Sequence, residues 1–448
     1  MVVRILLPSL VTLWWMLSPS VAVADDPPGA RRSAAAPGGV PAAAPIPIVT
    51  LRHQRADTYV YYAEFSPDSR QLVSAATEWV DVRIWDVQRG KLKRSYFVMD
   101  RVPTAFYARI SPDWKKIYVL TGYRRSQIKP EPRGTQMRTL AGAVRVFDVE
   151  AERETTPIGR WDSYIPIALN LSKDGRWLAF SRMCQFDFND VGDGVTTLVD
   201  LKTGTRRDFT VNGVYPVFFR NGTRIVVDDE RNPVASARPR DSRVLLMDTV
   251  SGKILASVDC PDPTRVFSIG GKRDTLISPD ESTLAIPMGG KTGAPIEIWW
   301  VRSDNLELLH KIVLPGDNMS AGWKTGRFTP DGAYYIIVDF SGTVWVWDVA
   351  KRKPVHQWRH LNPSRANIVR SHGVSFTMRP DSTMMAMIWP MRPQRFCELT
   401  LVELPTGRLV ARRRIPCRGV SCMTYSPDGK QLALGTRGAV LWLDLSRY

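Results

Sequence analysis

The stretch TPDGAYYIIVDFSGTVWVWDVA, residues 329–350, constrains the fold more than any other feature, because it recurs. A Pro-Asp-Gly turn leads into an apolar run, a Ser-Gly turn and then Trp-x-Trp-Asp. Related segments begin at Phe65 (FSPDSRQLVSAATEWVDVRIWDVQRGK), Ile110 (ISPDWKKIYVL), Leu171 (LSKDGRWLAFS), Phe219 (FRNGTRIVVDD), Ile277 (ISPDESTLAIP), Met378 (MRPDSTMMAMI) and Tyr425 (YSPDGKQLALG). With the copy that Phe328 opens, there are eight. Later in the copies a bulky residue precedes an acid: Trp85-Asp86, Phe147-Asp148, Val199-Asp200, Met247-Asp248, Trp347-Asp348, Val402-Glu403 and Leu443-Asp444. The fifth copy has Trp300-Val301 instead. Four residues past the acid stands Gly90, Gly204, Gly252 or Gly407, with Asn305 at that place in the fifth copy. Copies two and six depart, with Glu152 and Arg352.

Turn chemistry explains the pattern. Proline presets φ at the second turn position, Asp or Asn bonds locally to the backbone, and glycine accepts a positive φ. Between the turns lie short runs rich in Val, Ile, Leu, Trp and Tyr, which read as strands. Each copy is thus a small antiparallel meander of strands a, b, c and d. One meander leaves a sheet face uncovered, and stacking copies around an axis covers both, as in a β-propeller. The period of about 45–60 residues suits four-stranded blades with loop insertions. A length of 448 residues also exceeds the roughly 250–300 at which a single core stops growing. Separate sandwiches would need different strand counts per unit. The last copy stops after strand c, and the apolar segment PIPIVTLRHQ (45–54) precedes the first strand a. The expected fold is therefore all-β: an eight-bladed β-propeller of four-stranded antiparallel blades over 46–448, its ring closed by an N-terminal strand that hides two open edges.

The segment ahead of the repeats has a different character. Met1–Arg4 is a short positive start, Ile5–Leu17 is apolar, and Ala22-Val23-Ala24 offers small residues before Asp25-Asp26. This is the pattern of a secretory signal peptide over 1–24. The alternative, a membrane anchor, needs about 20 apolar residues, more than this run has. Residues 25–45 are rich in Ala, Pro and Gly and read as a flexible linker. Export to the periplasm, cell surface or exterior follows, with no transmembrane span after cleavage.

Segments GTVWVWDVA and VRIWDV resemble the WD-repeat propeller family, and the SPDG turns are shared with it and with related secreted propellers. The resemblance covers nearly all of 46–448. Copies one, six and eight match well and copies three, four, five and seven loosely. The family implies a rigid platform for binding other molecules, usually without catalysis. Its Gly-His pair before strand a is missing. His53 and His360 sit near that place without the glycine, which counts against the family's internal Asp-His-Ser/Thr-Trp network here.

Alternating strand directions put all a–b and c–d turns at one end of the ring and all b–c and d–a loops at the other. The insertions, 121–142, 182–194, 228–242 and 287–295, fall in b–c loops, and the longest d–a segment, 359–373, lies at the same end. Loops on rigid scaffolds carry function. The looped end is basic, with Arg124, Arg125, Lys129, Arg133 and Arg138 in blade 2, and Arg392 and Arg395 in blade 7. The connectors add Arg359, Arg365, Arg370, Arg412, Arg413, Arg414 and Arg418. Arginine forks suit carboxylate, sulfate or phosphate, and a net charge of +17 favours anionic partners. A solvated rim is the competing reading. Export argues against nucleic acid.

Catalytic motifs are missing: there is no HExxH, no GxSxG and no CxxCH. The five histidines, 53, 310, 356, 360 and 372, lack metal-pair spacing on any recognisable element, which points to structural or surface roles. DFNDVGDG (187–194) fits positions one, three and six of a calcium loop, but Val191 and Leu198 fall where oxygen ligands belong, leaving a polar loop. Cys397 starts strand c of blade 7 and Cys417 follows strand d, so folding that hairpin brings them nearly opposite and makes a disulfide feasible after export. Cys184 and Cys260 are a second possible pair, and Cys422 reads as a small filler in an inner strand.

The composite expectation is an exported, monomeric, non-catalytic binding scaffold without a cofactor. Its partner would be a protein or an acidic cell-envelope or extracellular polymer. The rival is a propeller enzyme. A quinone-cofactor dehydrogenase would repeat Gly-Lys-x-x-Trp after strand c, whereas DVQRGKLKRSY and MDTVSGKILAS have the Gly-Lys without the Trp. A lactonase-like metal enzyme would need acids and histidines converging on the channel, a cluster the sequence does not display.

Overall fold

Eight antiparallel sheets follow one another around a ring, seven built from consecutive strands and the eighth from the last three strands and the first. This computed structural model describes residues 46–448 apart from 55, 57, 78–79, 99–102, 124–141, 162–163, 188–189, 212–215, 232–240, 263–265, 268–275, 290–295, 315–324, 339–342, 360–374, 392–395 and 418. The proposed leader and linker lie outside the described residues. Blade 1 is typical, with strands Val60–Phe65, Gln71–Ala76, Val80–Asp86 and Lys91–Val98 running from the axis outward. Blade 2 differs only in its outermost strand, which is split into Arg153–Glu154 and Ile158–Trp161. The architecture is the expected eight-bladed propeller.

The recurrent turn works as its chemistry demands. Ser66 Oγ donates to Asp68 Oδ1 at 2.5 Å and accepts the Gln71 N–H at 2.8 Å. The same pair of bonds recurs at Ser111–Asp113–Lys116, Ser278–Asp280–Thr283, Thr329–Asp331–Tyr334 and Ser426–Asp428–Gln431. The residue after the Asp turns left-handed, which Gly332 does freely at φ 77° and Trp114 does with a full side chain at φ 60°. Blade 7 has Arg379 where the hydroxyl belongs, and its guanidinium grips Asp381 with both oxygens at 2.9 Å from Nε. That pairing pulls the Asp381 carboxyl down to about 2.

The c–d turns correct one sequence reading. In blade 5 the Leu306 N–H bonds to the Arg302 carbonyl at 2.9 Å, as the Gly252 N–H bonds to that of Asp248 at 2.8 Å in blade 4. Arg302 therefore holds the acid's place, and Leu306 (φ 60°), not Asn305, makes the reversal. The apparent departures at Glu152 and Arg352 keep the geometry too, at φ 52° and 54°. A second correction concerns 182–194. The strands Trp177–Asp187 and Asp190–Asp200 continue the hairpin through most of this segment, with Gln185 opposite Val191 and Asp187 opposite Asp190. The backbone there is a strand extension, not an insertion loop or a calcium loop.

Packing between blades forms the core. Between blades 5 and 6, Trp300, Phe328 and Tyr335 meet with ring centroids 4.8–6.2 Å apart, and all three are buried. The ring closes as predicted: Ile48–Arg52 pairs with Ala439–Asp444 as the outermost strand of blade 8, Leu51 lying opposite Val440. Leu51, 2% exposed, joins Val60, Phe65, Leu72 and Ala433 and so welds blade 8 to blade 1.

Candidate functional site

The two ends of the ring differ in construction. Seven of the eight a–b connections are five-residue turns, as at 66–70, 172–176 and 426–430, and in blade 5 the strands Val266–Phe267 and Thr283–Gly289 are separated by 268–282. The b–c connections vary, and two reach much further, between strands ending at Tyr123 and Arg231 and strands beginning at Gly142 and Asp241. Arg124, Arg125, Lys129, Arg133, Arg138, Arg392 and Arg395 all belong to b–c connections and lie outside the described residues, as do Arg365, Arg370 and Arg418. Arg359 and Arg412, Arg413 and Arg414 are corrected: they sit within the outermost strands Lys353–Arg359 and Leu409–Ile415, not in connectors. The strand alternates there, with Ala411 and Ile415 buried and Arg412 and Arg414 exposed at the rim. Arg412 pairs with Glu398 at 3.3 Å.

A cavity of about 260 Å³ opens at the opposite end, where the a–b turns surround the axis. The last two residues of the innermost strand line it in four blades: Asn170-Leu171, Val217-Phe218, Arg327-Phe328 and Thr377-Met378. Blade 5 contributes Ile277 and the turn residues Ser278, Pro279 and Glu281. Lys173 and Arg220, exposed on the turns of blades 3 and 4, stand at its edge. The Glu281 carboxylate accepts the Arg220 backbone N–H, so it engages that residue's main chain. The Arg327 guanidinium lies 5.2 Å from the centre of the Phe376 ring. Asn170 is spent internally, its amide donating to the Pro216 carbonyl at 3.1 Å and its oxygen accepting the Leu171 N–H at 3.0 Å. The result is an apolar wall with cations at the lip. Sequence reasoning missed this end, because its turns are short.

A buried polar chain in blade 1 overturns the expectation drawn from the missing Gly-His pair. His53 Nε2 is 2.8 Å from Ser74 Oγ, which also accepts the Trp85 indole N–H at 2.9 Å. His53 Nδ1 faces Asp81 Oδ2 at 3.1 Å, and Asp81 further takes Arg83 Nε at 2.8 Å and the Gln54 N–H at 3.0 Å. Burial pushes the Asp81 carboxyl up, but the His53, Arg83 and Gln54 contacts outweigh it and hold it below the usual range. The histidine needs no glycine before it, because the closing strand delivers it: the His53 N–H bonds to the Gly438 carbonyl at 2.9 Å. The chain ties the closing segment to blade 1.

His310 packs between Trp300 and Trp347, each ring 5.7 Å away, and burial lowers its pKa. His356 is exposed on an outer strand, and His360 and His372 lie outside the described residues. Cys397 and Cys417 are brought together as expected. Both are buried thiols, with Cys397 Sγ 3.7 Å from the Cys417 carbonyl oxygen. The contact with Cys397, together with burial, drives the Cys417 thiol up. Cys422 is a half-buried filler in the innermost strand of blade 8, against the Val60 carbonyl at 3.3 Å. The Cys184 side chain is outside the described residues, and the half-buried Cys260 thiol donates to the Asp262 carbonyl at 3.4 Å.

No protein-family model matches the chain, and no curated protein does. Solved structures do. The chain is similar to a propeller described as that of Dos1 (TM-score 0.57, 11% identity, 89% of this chain and 96% of that one). It is similar to the computationally designed Ika8 protein (TM-score 0.56, 14% identity, 88% and 98%). It is also similar to the C-terminal WD40 domain of Sif2 (TM-score 0.50, 11% identity, 88% and 97%). At these identities the likeness shows the fold alone, a β-propeller.

Proposed function

We propose that this protein is an exported, non-catalytic binding scaffold whose b–c/d–a end docks a protein or an acidic cell-envelope polymer. The observation that carries the reading is the asymmetry of the ring: five-residue a–b turns in seven blades at one end, and at the other the connections 124–141, 232–240 and 360–374. A closed ring spends its strand edges internally, so its ends are the surfaces left for recognition. The cations of its connections, Arg124, Arg125, Lys129, Arg133 and Arg138 in the long blade 2 segment and Arg392 and Arg395 in the short blade 7 one, would give that end an affinity for anions. The leader over 1–24 supplies export, and the described residues contain no helix long and apolar enough to cross a membrane.

The test is a pull-down with purified protein, residues 25–448, against envelope and secreted fractions at low and high salt. A discrete partner surviving high salt, and lost on replacing Arg124, Arg125, Arg133 and Arg138 with Glu, supports the reading. Capture that vanishes with salt, or that the Glu variant leaves unchanged, refutes it, because screened surface charge alone gives that result.

A further inference from the structure

The repeat places proline second in its a–b turn in six blades, as Pro67, Pro112, Pro279, Pro330, Pro380 and Pro427. The two adjacent blades 3 and 4 carry Lys173 and Arg220 there instead. Proline at a compatible turn position stabilises by about 0.4–1 kcal/mol through the unfolded state, so Lys173 forgoes that gain, while at Arg220 the N–H that proline would lack bonds to the Glu281 carboxylate. Both replacements are cations, both are exposed, and both stand at the lip of the same cavity. Neither side chain makes an ion pair among the described residues. Arg327, within the innermost strand Thr325–Phe328 of blade 6, also lines the cavity, and the buried Thr377 adds a hydroxyl with no hydrogen bond among the described residues. Phe218, Ile277, Phe328 and Met378 supply the apolar wall.

We infer that this channel mouth binds a carboxylate carried on a compact apolar body. Lys173 and Arg220 outnumber Glu281, whose carboxylate already accepts a backbone N–H. Charge-assisted bonds to these cations would hold the anion. The apolar wall would take the rest. A cavity of about 260 Å³ falls below the roughly 300–1,000 Å³ of drug-sized sites, so the ligand is small. It is either a free amphipathic acid or the last residue of a polypeptide. The site lies at the end opposite the proposed docking face and stands whether or not that face binds a partner.

Calorimetric titration of the purified protein tests this with four probes: hydrocinnamate, a tetrapeptide ending in Phe with a free carboxylate, its C-terminal amide, and inorganic phosphate. At least one of the two acids should bind, and which one does identifies the source. The amide and phosphate should bind at least about tenfold more weakly. Lys173→Ala with Arg220→Ala, two exposed changes that leave the fold intact, should weaken the acid at least about tenfold. Silence of both acids, equal binding of the amide, displacement by phosphate, or indifference to the Lys173/Arg220 double change would each overturn the inference.

Discussion

Replacing Asp81 with Ala should loosen the ring where it closes. The carboxylate is 3% exposed and holds three groups at once: His53, Arg83 and the Gln54 N–H. His53 and Gln54 belong to the segment that leaves the closing strand, so the change breaks a tie between two blades as well as a contact within one. Removing one partner of a buried pair costs about 3–5 kcal/mol. Arg83, 12% exposed along its side chain, regains some water, which favours the lower part of that range. An unfolding entropy of about 2.1 cal/mol/K per residue, over roughly 400 residues, gives about 0.8 kcal/mol/K. The melting temperature at pH 7 should therefore fall by about 4–6 °C, read by scanning calorimetry on the full chain. The pH dependence follows from the sign of the shift. The folded Asp81 carboxyl titrates below its unfolded value of about 3.9. Its contribution is thus complete above that value and lost as pH falls through the folded one. The gap between parent and variant should stay constant from about pH 7 to 5 and shrink below about pH 4. A drop under about 1 °C at neutral pH, or a gap that widens in acid, would refute the reasoning.

Gly332→Ala and Gly407→Ala separate backbone strain from packing, since the two residues share nearly the same φ (77° and 73°). A Cβ on Gly332 meets only Pro279 at an ordinary 3.4 Å, so that change should cost about 1–2 kcal/mol, the left-handed penalty alone. On Gly407 it comes within 2.4 Å of the Trp358 ring of the preceding blade. That variant should lose measurably more in urea titration, and equal losses would deny the inter-blade contact. Leu51→Asp places a charge in the seam between blades 8 and 1 and should cost at least about 3 kcal/mol, with aggregation as the ring opens. A monodisperse variant of parental stability in light scattering would count against closure by this strand. Protein recovered from an oxidising compartment should carry a Cys397–Cys417 disulfide, and non-reducing peptide mapping that finds both thiols free would exclude it.

The architecture was legible in the sequence because turn chemistry is local. Ser66–Asp68 and its counterparts use atoms within five residues of each other, so each copy announces its own strands, and strand direction then fixes which connections share an end. What escaped the reading depends on contacts distant in the chain. His53 reaches Ser74 and Asp81 only because the closing strand pairs with Ala439–Asp444, at the far end of the sequence. The fifth copy's reversal at Leu306 was misplaced by one residue because Arg302 stands where an acid usually marks the count. Arg412 and its neighbours were placed in a connector because three consecutive arginines look like a loop. An outermost strand tolerates them, since its exposed side faces water.

The same locality explains where a function can be written into such a chain. Most positions of a copy are committed to the turn, the strand pairing or the contact with the next blade. A copy that breaks the pattern gives up some stability, and the break needs an explanation at that position. Blade 7 compensates its lost hydroxyl with Arg379, which grips Asp381 and rebuilds the turn. Blade 3 shows no such repair for its lost proline, since Lys173 makes no ion pair among the described residues; in blade 4 the Arg220 N–H bonds to Glu281, but its guanidinium makes no ion pair among the described residues. The difference between a compensated and an uncompensated departure is what singles out the plain end of the ring. It predicts that Lys173→Pro should raise stability by about 0.4–1 kcal/mol while weakening carboxylate binding at the channel mouth, whereas Arg220→Pro would lose the N–H that Glu281 accepts and should not stabilise. A Lys173→Pro variant that gains stability and keeps its binding would leave that cation without a role there.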